Sequence, residues 1–393
     1  MYFSFDITSI QWLLLQVGAL AVLLALWAFI VRILPLRKHQ RRAENPLEPL
    51  DPIEFEGCAV IVYSHDEASD LEVLLPQILS QEYPAEFAVI VVNEGESPTV
   101  RELVGDLQLS HRNLYLTGTP DGARNLSRKK LAITLGIKAT KMPVVVLTTA
   151  AARIESPTWL RSMMRHFGPE RPIEVVLGFA APPADDDHAF GARERAFDFL
   201  ADSAAWLGPA VAGKPWRGTE HNLAYRRDAF FRNKGFSRHL NLRHGDDDIF
   251  ISEISNRHNT AVELSREGLV LIPGATTPRM FSEEKARRSF TSRFIPRRPH
   301  LVGGVGFTCY FIAPLLAIAA ACISPRNLMG WSAALLLLIL WYCTGLIWRT
   351  AVKTLGGRQL FITLPLLAFT RPIRKFRRGV RSIFKHQKRY TWE

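Results

Sequence analysis

The chain has 393 residues, 48% of them hydrophobic, and a formal net charge of +12, a length that suggests two or three folding units. Its basic residues cluster at 32–42, 287–298 and 371–389, each beside a long apolar run. This pattern fits anionic lipid headgroups rather than nucleic acid, for which no module is present. Cys58, Cys309, Cys322 and Cys343 lack ligand spacing, and three of them fall in predicted membrane segments. That excludes a disulfide frame and a zinc site.

Residues 10–31 are apolar and uncharged until Arg32, about 20 residues, enough to cross a bilayer core. The run is too long for a signal-peptide core and no small-residue cleavage site follows it. The basic flank (Arg32, Arg37, Lys38, Arg41, Arg42) predicts that its C-terminal side is cytoplasmic. Residues 45–52, rich in proline, read as a linker.

A β-rich run at 58–63 is followed by Ser64-His65-Asp66-Glu67, which predicts the cap of a helix over 68–80. Leu71, Leu74, Leu75 and Ile78 lie on one face of that helix. Strands at 87–92, 114–116 and 144–147 alternate with helices near 100–107 and from 127 to about 140. This β-α-β-α-β-α-β order predicts a mostly parallel sheet flanked by helices. Ligands of such sheets lie beyond the carboxyl ends of the strands, here 65–67, 93–96 and 148–153. The acidic run Gly245-Asp246-Asp247-Asp248 then precedes an apolar segment. Three adjacent carboxylates repel one another, so they belong on a solvated edge, beside cations, or where one of them acts as a base.

Several motifs together resemble the family 2 glycosyltransferases of the GT-A fold, over roughly residues 58–291. They are Ser64-His65-Asp66-Glu67, Val92-Asn93-Glu94-Gly95-Glu96-Ser97, Arg128 with Lys130, Asn222-Leu223-Ala224-Tyr225 and Gly245 to Phe250. The resemblance implies a nucleotide-diphospho-sugar transferase-like domain with transmembrane helices at both ends of the chain. On its donor side it implies Glu67, Glu94, Arg128, Lys130 and Thr149. On its acceptor and diphosphate side it implies Trp216, Asn222, Glu284, Arg287 and Arg288. It makes Asp247 the expected base, with Asp246 and Asp248 as alternatives one place away. Capping alone also accounts for Asp66, and an exposed basic turn also accounts for Arg128 and Lys130.

The family holds Mg²⁺ or Mn²⁺ on an Asp-x-Asp motif after the fourth strand, but the matching positions here are Thr149-Ala150-Ala151. Alanine cannot ligate, so no metal ligand is assigned. Either a cation such as Arg153, Lys130 or Arg287 replaces the metal, or the donor site has decayed. Asp185-Asp186-Asp187 fall in a proline-rich loop and do not restore the motif. Glu284 stands where the family has glutamine, and Thr219, Glu220 and His221 replace a glycine-rich stretch.

Two further apolar runs, 303–323 and 328–348, form a predicted hairpin around the linker 324–327. Residues 359–369 are too short to span and read as interfacial or re-entrant. The tail 371–389 reads as a basic amphipathic helix on anionic lipid. The expected organisation is an anchor (1–32), a basic linker (33–56), a cytoplasmic transferase domain (57–291), a two-span hairpin (292–349) and an interfacial segment with its tail (350–393). The expected function is a multi-pass inner-membrane inverting glycosyltransferase. It would take a nucleotide-sugar donor, with a UDP-sugar favoured, and a lipid-linked or cell-envelope glycan acceptor. The alternative is a catalytically inactive scaffold with the same fold.

Overall fold

A computed structural model describes residues 7–44, 55–95, 97–119, 126–168, 171–183, 191–295, 298–323, 328–356 and 363–384. The expected loop 185–187, the linkers 45–52 and 324–327, and the segments 359–362 and 385–389 lie wholly or mostly outside these residues. In chain order the elements begin with α1 (Ile7–Glu44), β1 (Cys58–Ser64), α2 (Ala68–Leu79), β2 (Phe87–Asn93), α3 (Pro98–Gln108), β3 (Leu114–Gly118) and α4 (Arg128–Ala139). There follow β4 (Val144–Thr149), α5 (Trp159–Met164), β5 (Val175–Leu177), β6 (Ala180–Ala181), α6 (Ala192–Val211), β7 (Leu223–Arg226) and α7 (Arg227–Arg232). The last are α8 (Ile249–Ile254), β8 (Thr260–Val262), β9 (Val270–Leu271), α9 (Pro278–Thr291), α10 (Arg298–Ile323), α11 (Leu328–Leu355) and α12 (Leu364–Phe384).

The chain divides into two units, one built around the sheet (38–192 and 209–296) and one of helices (to residue 37, 193–208 and from 297). Residues 193–208, inside the region that the sequence assigns to the transferase domain, cluster with the helical unit.

In the sheet unit the strand order is β3-β2-β1-β4-β7-β5-β8. β3, β2, β1 and β4 run parallel, and β7 is antiparallel to both its neighbours. β1, β2 and β4 are runs of Val, Ile and Ala, buried nearly throughout, as strands covered on both faces must be. Alternate side chains face opposite layers. Cys58, Val60 and Val62 join Leu71, Leu74, Leu75 and Ile78 of α2 in the main core. Ile61 points the other way, to α4, where a Cβ on Gly136 would lie 2.9 Å from both Ile61 and Val92. Glycine thus sets the close approach of that helix to the sheet. The register aligns Tyr63 with Val92 and Thr149, and Ser64 with Asn93, so the ends of β1, β2 and β4 open on one edge.

The expected cap of α2 differs in detail. Glu67 takes the cap position without a side-chain bond to the helix. Asp66 adopts a left-handed conformation (φ 61°) and accepts the Ser97 hydroxyl, so its carboxylate ties β1's exit to the start of α3 instead of capping α2.

Just past β8, Glu263 is fully buried. It accepts two bonds from Arg165 (2.8 and 3.0 Å), one from His166 (2.8 Å) and the Ser265 amide (2.7 Å). Burial alone would push its carboxyl up, but His166, Arg165 and the Ser265 bond hold it down at about 2. A depressed carboxyl contributes stability above its unfolded value, near 4.5, which is lost as pH falls toward the folded value. Glu263→Gln is therefore expected to cost about 3 kcal/mol at neutral pH. Denaturant melts at stepped pH should show the difference from the natural protein closing between about pH 4 and 2.

In the helical unit, Gln11 donates to the Ala320 carbonyl (2.8 Å). Ala28 packs where a Cβ on Gly306 would lie 2.6 Å away, the small-residue contact typical of helices in lipid. Phe29 meets Phe307, Tyr310 and Trp348 with ring centroids 5.0 to 5.7 Å apart. Leu23, Trp331 and Leu338 point outward and are largely exposed. Three helices (Thr8–Arg42, Leu301–Ile323 and Leu328–Leu355) are long and apolar enough to cross a membrane. In place of an interfacial piece followed by a separate tail, α12 is one helix from Leu364 that continues past Pro372 to Phe384. Its arginines do not all face outward as the amphipathic reading expects. Arg371, Arg374 and Arg378 converge on the buried Asp198 of α6, and Arg371 also pairs with Asp202. Ile373, Phe376 and Val380, three and four residues apart, form the exposed apolar stripe.

Candidate functional site

The site lies in the sheet unit, at the edge where β1, β2 and β4 end. A pocket there is lined by Tyr63, Lys129, Thr148, Thr149, Glu220, Asp246 and Asp247 above Ile61, Ile133, Leu147 and Leu223. Its internal volume is about 10 Å³, the room of roughly one water molecule.

The acidic turn forms the wall opposite the strands. Gly245 has φ +113°, a conformation other residues rarely adopt, and a Cβ there would lie 2.4 Å from Ile249. This turn delivers Asp246, Asp247 and Asp248 in sequence, all three buried. The Asp247 carbonyl accepts the Gly218 amide (2.9 Å), which fixes the turn against the 213–222 loop. Asp248 accepts the Ile249 amide (2.7 Å) and caps α8. Burial, and then the adjacent Asp247, push the Asp248 carboxyl up to about 6. Asp246 and Asp247 are the two that face the pocket. Burial would raise Asp246 as well, but Lys129 and then Arg287 hold it well below the usual carboxylate range.

Two cations meet these acids. Lys129, in the first turn of α4, lies 2.8 Å from Asp246 and pairs with Glu220. Arg287, on α9, reaches Glu220 at 2.8 Å, Glu284 at 2.7 Å and Asp247 at 3.4 Å. Burial opposes its charge, but Asp247, Glu284, Asp246 and Asp248 hold it more firmly protonated than usual. Glu284 also pairs with Arg288 and, at 3.4 Å, with Arg217. Against burial, Arg287, Arg288 and Arg217 keep its carboxyl well below its ordinary value. His221 donates or accepts at Thr149 Oγ1 through Nδ1 (2.7 Å). Burial and then Arg287 push its imidazole down to about 3, so it is neutral at physiological pH.

The residues singled out in the sequence fall in different places. Asp246, Asp247 and Thr149 line the pocket, and Arg287 pairs with two of its residues, Glu220 and Asp247. Glu94 and Glu67 lie at the ends of β2 and β1: Glu94 accepts the Tyr63 hydroxyl, and Glu67 accepts the His65 amide at 2.9 Å. Burial pushes the Glu67 carboxyl up. Arg128 opens α4 and is half-buried, and Trp216 is buried in the loop before β7. Lys130 and Asn222 sit in scaffold positions. The Lys130 ammonium is bound by the carbonyls of His239, Leu242 and His244 (2.7, 3.2 and 2.9 Å) and by His239 Nδ1 (2.8 Å), and burial lowers it to about 8. Asn222 gives its amide to the carbonyls of Phe179 and Gly268 (2.9 and 2.8 Å) and accepts the Trp159 indole (3.2 Å). Arg153, the other candidate cation, pairs with Asp70.

Lys129 and Glu220 are the charged pocket residues that the sequence did not single out as site residues. The signal for Lys129 was present. Lys130, Ile133 and Ile137 are spaced three and four apart, so Lys130 shares the buried face of α4, and its neighbour is the one that turns to the site.

The family that the sequence resembles holds a divalent metal, and the residues here do not fit one. Thr149 contributes only a hydroxyl, already bonded to His221, and Ala150 is buried apolar packing. The nearby carboxylate oxygens face Lys129 and Arg287. Among the described residues, no three His, Cys, Asp or Glu side chains are grouped to hold a metal ion.

No sequence-family profile matches the chain, and no curated protein matches it. Solved structures do. A mannosyltransferase from Pyrobaculum calidifontis, in complex with GDP-Man and Mn²⁺, superposes with a TM-score of 0.52 at 18% identity, covering 92% of this chain and 99% of that one. A mannosyl-3-phosphoglycerate synthase from Rubrobacter xylanophilus matches with a TM-score of 0.39 at 13% identity, covering 67% and 77%. A glucosyl-3-phosphoglycerate synthase from Mycobacterium tuberculosis, in complex with phosphoglyceric acid, matches with a TM-score of 0.34 at 12% identity, covering 59% and 80%. With its mostly parallel sheet, its strand-end pocket and this likeness to the Pyrobaculum enzyme, the chain has the GT-A fold.

Proposed function

We propose that the chain is a membrane-tethered inverting glycosyltransferase that takes a nucleotide-sugar donor. The observation that carries this reading is the pocket itself. Two buried aspartates, Asp246 and Asp247, line it together with Thr149 and Tyr63 of the strand ends, Asp246 paired with Lys129 and Asp247 with Arg287. Buried carboxylates beside fixed cations are costly unless they serve a purpose.

Inverting transfer needs a base that takes the acceptor hydroxyl's proton as the oxygen attacks the anomeric carbon. Asp247 has that role here. It faces the pocket, whereas Asp248 is committed to capping α8 and Asp246 is clamped by Lys129. Glu94 and Glu67, past the strand ends, take the nucleoside side, with a UDP-sugar the favoured donor. Arg287, Arg288 and Glu284 shape the diphosphate and acceptor end, with Trp216 as part of its support. The three apolar helices and the stripe Ile373, Phe376 and Val380 support a chain tied to membrane lipid. That reading agrees with a lipid-linked or envelope-glycan acceptor and a catalytic domain on the cytoplasmic face of the inner membrane.

A second reading, an inactive scaffold, is favoured by one observation: the acids and bases of the pocket are matched to one another. Titrating UDP, GDP and TDP into the detergent-purified full chain, with and without Mg²⁺ or Mn²⁺, separates the two. The transferase reading expects saturable binding of one nucleotide, UDP first. Absence of binding by all three under every condition would leave the scaffold.

A further inference from the structure

The cations at this pocket already hold an anion of the protein's own. Glu220 lies in the turn between Gly218 and β7, outside any helix or strand. One carboxylate oxygen pairs with Lys129 and the other lies 2.8 Å from Arg287. It thus bridges two cations carried by different helices, α4 and α9, and itself lines a pocket with little free volume. The other carboxylates there are held more rigidly. Asp246 and Asp247 belong to the Gly245 turn, pinned by the Gly218 amide and by α8, and Glu284 is on α9 among Arg217, Arg287 and Arg288. Glu220 sits on a loop with a longer side chain than Asp246 or Asp247 and is only partly buried, so of these carboxylates it is the one least fixed by its backbone.

We infer that Lys129 and Arg287 form a metal-free seat for a nucleoside diphosphate, and that Glu220 is the internal counter-anion which the diphosphate displaces. This rests on the donor reading above. Its physical logic is charge and space. The site lacks the ligands for a divalent cation, so an incoming diphosphate needs cations from the protein. Both cations already face carboxylates, and adding a diphosphate without removing an anion would crowd negative charge beside Asp246 and Asp247. Departure of Glu220 removes one negative charge, opens the pocket and frees one face of each cation. Lys129 supplies a point charge, and Arg287 a planar fork suited to two phosphate oxygens.

The test uses the full chain in detergent with EDTA present, titrated with UDP, GDP and TDP, comparing the natural protein with Glu220→Gln and Lys129→Gln. Glutamine keeps the size of Glu220 and removes its charge. The expected result is metal-free binding by the natural protein that tightens about tenfold or more in Glu220→Gln and weakens at least as much in Lys129→Gln. Far-ultraviolet circular dichroism and melting of each variant establish that it is folded. If the natural protein binds with the same affinity as a folded Glu220→Gln, or binds only when Mg²⁺ or Mn²⁺ is added, the displacement inference falls and the donor reading stands. If neither protein binds any nucleotide with or without metal, both fall.

Discussion

Asp247→Asn is expected to lower the rate of sugar transfer by about 10²–10⁴-fold, the range for loss of a positioned general base, with nucleotide binding retained or tightened, because one negative charge beside Arg287 is removed. The substitution keeps the shape of the side chain and removes its ability to take a proton. Asp247 qualifies by position: it faces the pocket, its carbonyl anchors the turn to Gly218, and its carboxylate lies 3.4 Å from Arg287. Asp248→Asn is the informative contrast. Asparagine can still accept the Ile249 amide, so the cap of α8 survives and transfer should fall far less. Its effect belongs to stability. Because burial and Asp247 raise Asp248 to about 6, the folded state holds a proton there that the unfolded chain has released. The stabilisation is full below about pH 4 and is lost as pH rises through 6. Melting curves should show that Asp248→Asn removes this decline. Equal loss of transfer in the two variants would move the base away from Asp247.

Arg287→Met is expected to produce the largest loss of stability among substitutions at the pocket, about 3–5 kcal/mol at neutral pH, the cost of stranding a buried charge. Methionine fills much of the same volume, so packing is largely kept, but Glu220, Asp247 and Glu284 lose their shared partner. The sign of the pH dependence follows from Glu284 and Asp246, both held below their ordinary values with Arg287 among the causes. Such groups stabilise the fold above their unfolded values and lose that contribution as pH falls. The gap between Arg287→Met and the natural protein should therefore be widest near neutrality and narrow below about pH 4. A gap that is constant across that range would mean a packing defect instead of lost charge pairing.

The sheet was legible because its strands are chemically uniform. The Val, Ile and Ala runs of β1, β2 and β4 have no other stable place than a buried parallel sheet, and the 3-and-4 spacing of Leu71, Leu74, Leu75 and Ile78 marks the face of α2 that meets it. The acidic turn was legible because three carboxylates behind a glycine need a special setting. Partner choice within the site was harder to read. Lys129 and Lys130 are adjacent and alike, and which of them turns to the acids depends on the face that α4 buries. Glu220 stands out only when α4 and α9 bring Lys129 and Arg287 to it from 91 residues before and 67 residues after in the chain. The membership of residues 193–208 in the helical unit was hidden for a similar reason. Asp198 and Asp202 look like ordinary charges on a helix until Arg371, Arg374 and Arg378 of α12 close on them.

The most direct measurement of the central claim is transfer of label from UDP-, GDP- and TDP-sugars into lipid and glycan fractions by membrane vesicles carrying the full chain, run beside vesicles carrying Asp247→Asn. The predicted result is label incorporated from one donor by the natural protein and reduced at least about 100-fold by the substitution. Incorporation that is equal in both, or absent with every donor, would contradict the assignment of this pocket to sugar transfer.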